Sequence, residues 1–309
     1  MINLKHSITL SSVFALFIYV ADVNAANYIV TGNDTWSGSQ VFSDNGTSIQ
    51  GISANGTQGT ITADDNINSN RNEVGISVLN GGELIINNTS NGKLLDVSDN
   101  TFGWNTFGIN AGDGSLVEIN NMSVNASGNG QNGIAAFTGS VININGAADG
   151  SNNLRANDNV SMNGIESNGN TPASTYINIK NMNINANGNG GNGISADFGQ
   201  VLIEGIAGGS QKLTANNNSR IGIYTSGSWY GIVGGLDVKN MDIEVIGNQT
   251  SGLRVWGGSF FNAESSIRLI CRAFYVYGED LSLTLKALQI RRIVLLLRTI
   301  KIPQVLEQE

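Results

Sequence analysis

Histidine and cysteine each occur once in this sequence, and each scarcity removes a class of chemistry. The one histidine, His6, falls in a stretch read below as an export signal; once it is removed, no Ser-His-Asp triad can be assembled. The one cysteine, Cys271, has no partner in its own chain, so no disulfide framework holds the fold. Charge is scarce too. Only 13% of residues are charged, about half the share of an ordinary soluble domain, and the formal net charge is −8. An acidic surface with few Lys or Arg speaks against nucleic acid as a partner, since phosphate binding needs clustered cations. Helix signals are nearly lacking before residue 265. What remains is rich in Asn, Gly, Ser and Thr, a composition that would suit disorder. Yet 40% of residues are hydrophobic, and Ile and Val recur in alternation. Such a chain can bury a core built from strands.

Residues 1–25 read as a secretory signal: Lys5 and His6, then the apolar run from Ile8 to Val20, then Val23, Asn24 and Ala25 at the cleavage positions. The run is short for a membrane span. Cleavage is expected after Ala25, with an uncleaved anchor as the alternative.

The body of the chain repeats. A Gly followed by Ile or Leu recurs at Ile52, Ile76, Ile109, Ile134, Ile165, Ile194, Ile223 and Leu253, at spacings of 24 to 33 that settle to 29–31 after Ile134. A longer period lies above it. Asn121-Met122-Ser123-Val124-Asn125-Ala126 matches Asn181-Met182-Asn183-Ile184-Asn185-Ala186 at a displacement of 60, and the pattern returns at Asn240-Met241 after 59 more. Leu154-Arg155-Ala156-Asn157 likewise matches Leu213-Thr214-Ala215-Asn216 at 59. Two successive turns therefore form one duplicated unit.

Each turn holds three short strands by period-two alternation with Asn, Gly and Ser punctuation. The first opens at the Gly-Ile mark, as at Gly133-Ile134. The second alternates, as in Ile142 to Asn145, Ile177 to Lys180 and Val201 to Glu204. The third is of the Met182, Ile184, Ala186 type. Asn suits the corners because it tolerates left-handed backbone and its amide can bond a stacked neighbour. An antiparallel sandwich is the competing architecture, since Asn45-Gly46 and Asn55-Gly56 are good hairpin turns. A sandwich gives no reason for a 59- to 60-residue period. A solenoid does, because coils stack at about 4.8 Å, and eight marks then span roughly 40 Å. The fold expected is all-β: a right-handed parallel β-helix over residues 26–264, of the pectin-lyase-like type, followed by an irregular tail over 265–309.

With its signal, its Asn/Gly/Ser-rich body and units such as Gly193-Ile194-Ser195-Ala196 leading into Gln200-Val201-Leu202-Ile203, the chain resembles autotransporter passenger domains of Gram-negative bacteria. The resemblance covers about residues 26–264. It implies a secreted or surface-exposed adhesin or self-association factor carried out by an outer-membrane barrel, with host-cell or bacterial surface molecules, glycans among them, as partners. The chain departs from that family at residue 265. Asn disappears there, and Arg268, Arg272, Lys286, Arg291, Arg292, Arg298 and Lys301 against four acids give 7 − 4 = +3. The signal contributes zero (Lys5 against Asp22), so residues 26–264 carry −8 − 3 = −11. The favoured reading of the tail is translation in another frame or a truncated gene; a cap on the open end of the stack is the alternative. Phe274 to Leu285 could hold one further coil. No transmembrane barrel is expected in this chain. The product should reach the periplasm, or the cell surface if an exporter is supplied.

No catalytic, cofactor-binding or metal-ligating residue emerges. The rival function is a carbohydrate-active lyase or hydrolase on the same fold, which needs gathered carboxylates, alone or around Ca²⁺. Asp64 and Asp65 are adjacent, Asp96 and Asp99 are close, and Arg155 near Asp158 is the best lone pairing. A gene remnant without function is a third reading. The residues singled out for partner contact are Trp229, Tyr230 and Trp256, because aromatic side chains on a sheet face make platforms for sugars or proteins. Packing at a turn or edge is their competing role.

Overall fold

The computed structural model describes residues 27–43, 50–169, 175–227, 233–270, 274–277, 282–290 and 295–298; beyond residue 264, side chains are described only for Tyr275 and Val276. The signal residues 1–25, the Asn45-Gly46 pair, Cys271, Trp229 and Tyr230 lie outside the described residues.

Among the described residues there is no helix, and the strands stack as a parallel β-helix with three strand columns. The first column holds eleven strands, from Tyr28–Ile29 to Leu295–Arg298, each paired in parallel with the next. The second runs from Asn33–Trp36 through Leu116–Asn120 and Gln200–Glu204. The third runs from Gln40–Val41 through Met122–Asn125 and Met182–Asn185. The sole antiparallel pairing among the described residues is an isolated bridge between Asn168 and Phe198. The sandwich is thereby set aside.

All eight Gly-Ile marks fall in one inward ladder of the first column, in register from Ile52 through Ile134 and Ile194 to Leu253. Each is at most 1% exposed. Burying one such side chain contributes about 1.5–3 kcal/mol, so the ladder alone is a large driving term. Ile142 and Ile144 of the second column and Val124 and Ile184 of the third complete one continuous core. Tyr28, Trp36 and Phe42 meet at the first turn, with ring centroids 4.9 to 5.5 Å apart, and pack against that core.

The glycine before each isoleucine has a steric cause. A Cβ on Gly133, Gly164, Gly193 or Gly222 would stand 2.6–3.0 Å from the amide nitrogen of Asn159, Asn189, Asn218 or Asn248 respectively. Those asparagines belong to a buried file, Asn100, Asn129, Asn159, Asn189, Asn218 and Asn248, one per turn. In each step the backbone N–H and the side-chain amide both donate to the Oδ1 of the next asparagine, at 2.9–3.2 Å. Buried polar groups are tolerated because they are paired, and here the pairing runs along the stack.

The two-turn period also has a local origin. Asn121, Asn181 and Asn240 adopt left-handed backbone and turn the chain in one residue between second and third columns. In the intervening turns the same corner is a longer loop, opened by Gly146 or Gly205. A Cβ on Gly146 would lie 2.5 Å from the Asn181 carbonyl, and one on Gly205 2.3 Å from that of Asn240. Tight and wide corners thus nest alternately.

Beyond residue 264, where an irregular tail was expected, strands continue both sheets. Phe260–Ile270 pairs with the second and third columns, Phe274–Tyr277 with Ser251–Trp256, Ser282–Ile290 with Phe260–Ile270, and Leu295–Arg298 with Phe274–Tyr277. Alternating apolar residues in that sequence, Phe274 and Val276 or Leu283 and Leu285, carry the period that a further coil needs.

Candidate functional site

In the file one residue past the Gly-Ile marks, the outward positions of the first column are small or polar at first: Ser53, Ser77, Asn110, Ala135; the file three residues past the marks already carries Leu79 and Phe137. From the turn of Glu166 onward the first of these files changes. Glu166, Ser195, Tyr224, Arg254 and Tyr275 succeed one another in register, and beside them run Asp197, Ser226, Trp256 and Tyr277. Strand alternation turns the side chains of Glu166, Ser195, Tyr224, Arg254, Asp197, Ser226 and Trp256 away from the core, because the residues between them are the inward Ser167, Ala196, Thr225 and Val255; Glu166, Ser195 and Ser226 are nonetheless buried.

This face borders an open groove of ≈ 630 Å³, lined by Glu166, Ser195, Asp197, Arg220, Tyr224 and Arg254. The corner loop carrying Met162 and Asn163 forms one wall. The Arg254 guanidinium lies over the Trp256 ring at 4.7 Å and near the Tyr224 ring at 6.0 Å, so the aromatic pair holds its long side chain in place. Trp256 remains 38% exposed. Among the described residues neither Arg220 nor Arg254 forms an ion pair or a side-chain hydrogen bond. The two carboxylates, in contrast, are already engaged. Glu166 accepts from Asn163 at 2.9 Å and from Asn168 at 3.3 Å, and Asp197 accepts a short bond from the Ser226 hydroxyl. Burial pushes the Tyr224 phenol above its ordinary pKa; the Ser226 hydroxyl and Arg254 act against that rise, and the nearby Asp197 charge adds to it.

Of the three residues singled out in the sequence, Trp256 stands on this face, while Trp229 and Tyr230 lie outside the described residues. The carboxylates weighed as a rival site are dispersed. Asp64 accepts from the Gly38 N–H at 2.9 Å, and Asp65 pairs with Lys93 at 3.0 Å. Asp96 accepts from Asn70 and Asn125, and Asp99 takes a left-handed corner position. Arg155 and Asp158 make no ion pair. No group of three or more His, Cys, Asp or Glu suited to a metal is gathered among the described residues. Sequence reasoning missed Arg220, Arg254, Glu166 and Asp197 as a group. The register that unites them follows from the Gly-Ile marks: Glu166 and Arg254 each come one residue after a mark, and Asp197 three after.

The fold and this face define an all-β solenoid with a mixed cationic and aromatic groove. No protein-family model, no characterised protein and no solved structure matches the chain.

Proposed function

We propose that this chain is an exported, non-enzymatic passenger of the autotransporter type, acting at the cell surface as an adhesin or self-association factor. The observation that carries the reading is the change in the file one residue past the Gly-Ile marks, from Ser53, Ser77, Asn110 and Ala135 to Tyr224 and Arg254, on a rod whose Ile/Leu ladder stays constant. A structural rod needs no such change; a contact surface does, because aromatic and Arg side chains supply most of the energy in recognition. Regular stacking also aligns repeated weak contacts along one axis, where they add.

The test is binding of the purified full chain to cells and to itself. Adhesion or aggregation that falls on Trp256→Ala, with the fold intact by circular dichroism, supports the reading. Equal behaviour of wild type and variant contradicts it.

Glu166 and Asp197 beside two arginines favour a second reading, a carbohydrate-active enzyme on the same groove. Turnover of a polysaccharide that disappears in Glu166→Gln or Asp197→Asn would establish it.

A further inference from the structure

We propose that Asn91 is a self-modification site: in the folded protein it is converted to aspartate and isoaspartate by attack of the Gly92 backbone nitrogen on its side chain. The proposal is independent of the adhesin reading.

The sequence contains twelve Asn-Gly steps, the pairing that closes a succinimide most readily because glycine has no Cβ in the way. By sequence they are equivalent candidates. Eleven of them lie among the described residues, Asn45-Gly46 being the exception. In ten of the eleven the glycine N–H donates to a carbonyl of an adjacent turn, at 2.8–3.1 Å. Gly56 bonds Leu79, Gly81 bonds Asp113, Gly130 bonds Asn100 and Gly193 bonds Ile221. A nitrogen held in this way can neither lose its proton to solvent nor swing onto the preceding side chain until the turn opens. Stacking therefore protects the Asn-Gly steps that it engages.

Gly92 differs from the other ten. Its N–H donates to no acceptor among the described residues. Asn91 and Gly92 are both exposed, at the corner between Glu83–Asn88 and Lys93–Asp96. A Cβ on Gly92 would meet nothing within 4 Å, so the corner has room for the ring that forms. Comparison with Asn55 and Asn80 isolates the cause. Those two are exposed as well, yet their glycines are bonded and their side chains are joined to each other at 2.7 Å. The Asn91 amide has no such partner among the described residues.

The chemistry needs only water. The Gly92 nitrogen gives its proton to hydroxide, and its electron pair forms a bond to Asn91 Cγ. The side-chain amide nitrogen takes a proton from water and leaves as ammonia, which closes a succinimide and regenerates hydroxide. Water then adds at one of the two ring carbonyls. Breaking the N–Cγ bond restores the original main chain and leaves aspartate. Breaking the bond to the Asn91 main-chain carbonyl carbon leaves isoaspartate, with the main chain running through Cγ. Each product carries one more negative charge than asparagine. The core is spared, because burial resumes only at Leu95.

The experiment incubates the full folded chain at several pH values from neutral to mildly alkaline, with a parallel sample in denaturant. Peptide mapping by mass spectrometry follows acid formation at each of the eleven steps. Methyl transfer from labelled S-adenosylmethionine by an isoaspartyl methyltransferase counts isoaspartate. In the folded chain conversion should be fastest at Asn91, roughly tenfold or more above each bonded step, since those must open first. It should speed up with pH, with isoaspartate in the same peptide, and the lead of Asn91 should disappear in denaturant. Asn91→Gln, an exposed change checked for an intact fold by circular dichroism, should abolish conversion in this peptide. Conversion at any bonded step as fast as at Asn91, a lead of Asn91 that persists in denaturant, or an unmodified Asn91 would each overturn the proposal.

Discussion

The carboxylate of Asp158 lies directly over Gly188 of the next turn, so close that a Cβ on that glycine would stand 2.2 Å from Oδ1. Both residues have positive φ, 54° and 68°. The same relation holds between Asp99 and Gly128 and between Asn217 and Gly247, at 2.3 Å each. One Asx leaning over one Gly cannot repeat in every turn, so the corner alternates, and the sequence period becomes two turns.

Gly188→Ala is therefore expected to cost about 2–4 kcal/mol: about 1–2 for left-handed backbone and the rest for the clash. Gly81→Ala, also at positive φ but with nothing within 4 Å of the new Cβ, should cost only the backbone share. Asp158→Gly should recover much of the loss at Gly188, giving a coupling that denaturant melts of the four combinations measure. Equal losses at Gly188 and Gly81 would show that the overlap carries no energy.

Asn159→Ala breaks the buried file in the middle. The Asn129 backbone N–H and amide lose their acceptor, and the Asn189 Oδ1 loses two donors. The expected cost is about 2–4 kcal/mol, since buried groups left unpaired carry their desolvation penalty. Hydrogen exchange should speed up first at the Asn129 amide. Unchanged protection there would contradict the role given to the file.

Much of the fold was legible in sequence because strand period and coil length are both written as spacings. The Gly-Ile marks from Ile52 to Leu253 give the coil length, and the alternation in Ile177 to Lys180 and Val201 to Glu204 gives the second strand. The buried asparagine file was hidden, since Asn is abundant everywhere here and burial cannot be told from exposure by residue type. Its signal was the left-handed residue just before it: Asp99, Gly128, Asp158, Gly188, Asn217 and Gly247 each precede one member. The groove was less legible still. Arg220 sits on a corner whose length varies, and Arg254 reads as an isolated cation until register places it beside Tyr224.

Inward and outward positions within one strand should differ sharply. Ile203 is buried in the second column and its neighbour Leu202 points outward, half-buried. Ile203→Ala should cost about 2–5 kcal/mol and Leu202→Ala about 1 kcal/mol. A reversed order in thermal or denaturant melts would place the strand in the wrong register.

Tyr28 gives a pH dependence. Burial, and then its hydrogen bond and proximity to Asp34, push its phenol from 10.0 up to about 12; the bond to Asp34 is 2.5 Å long. A pKa raised on folding means stability that is complete below the unfolded value and is lost as pH rises through the folded one. The first turn should therefore loosen between pH 10 and about 12. Absorbance titration should show a tyrosine titrating at about 12 that moves down in Asp34→Asn; no movement would dissociate it from Asp34.

Everything assigned to the outer faces depends on parallel, in-register stacking of consecutive turns, and a pair of cysteines tests it most directly. Asn143 and Asn178 are register partners on adjacent turns, with the Asn178 amide donating to Asn143 Oδ1 at 2.7 Å. Leu202 is the next partner in the same file. In a Cys271→Ser background, Asn143→Cys with Asn178→Cys should oxidise to an intrachain disulfide, because adjacent turns are about 4.8 Å apart. Asn143→Cys with Leu202→Cys, two turns apart and thus beyond about 7 Å, should not. Cross-linking of the second pair but not the first would contradict the stacking described here.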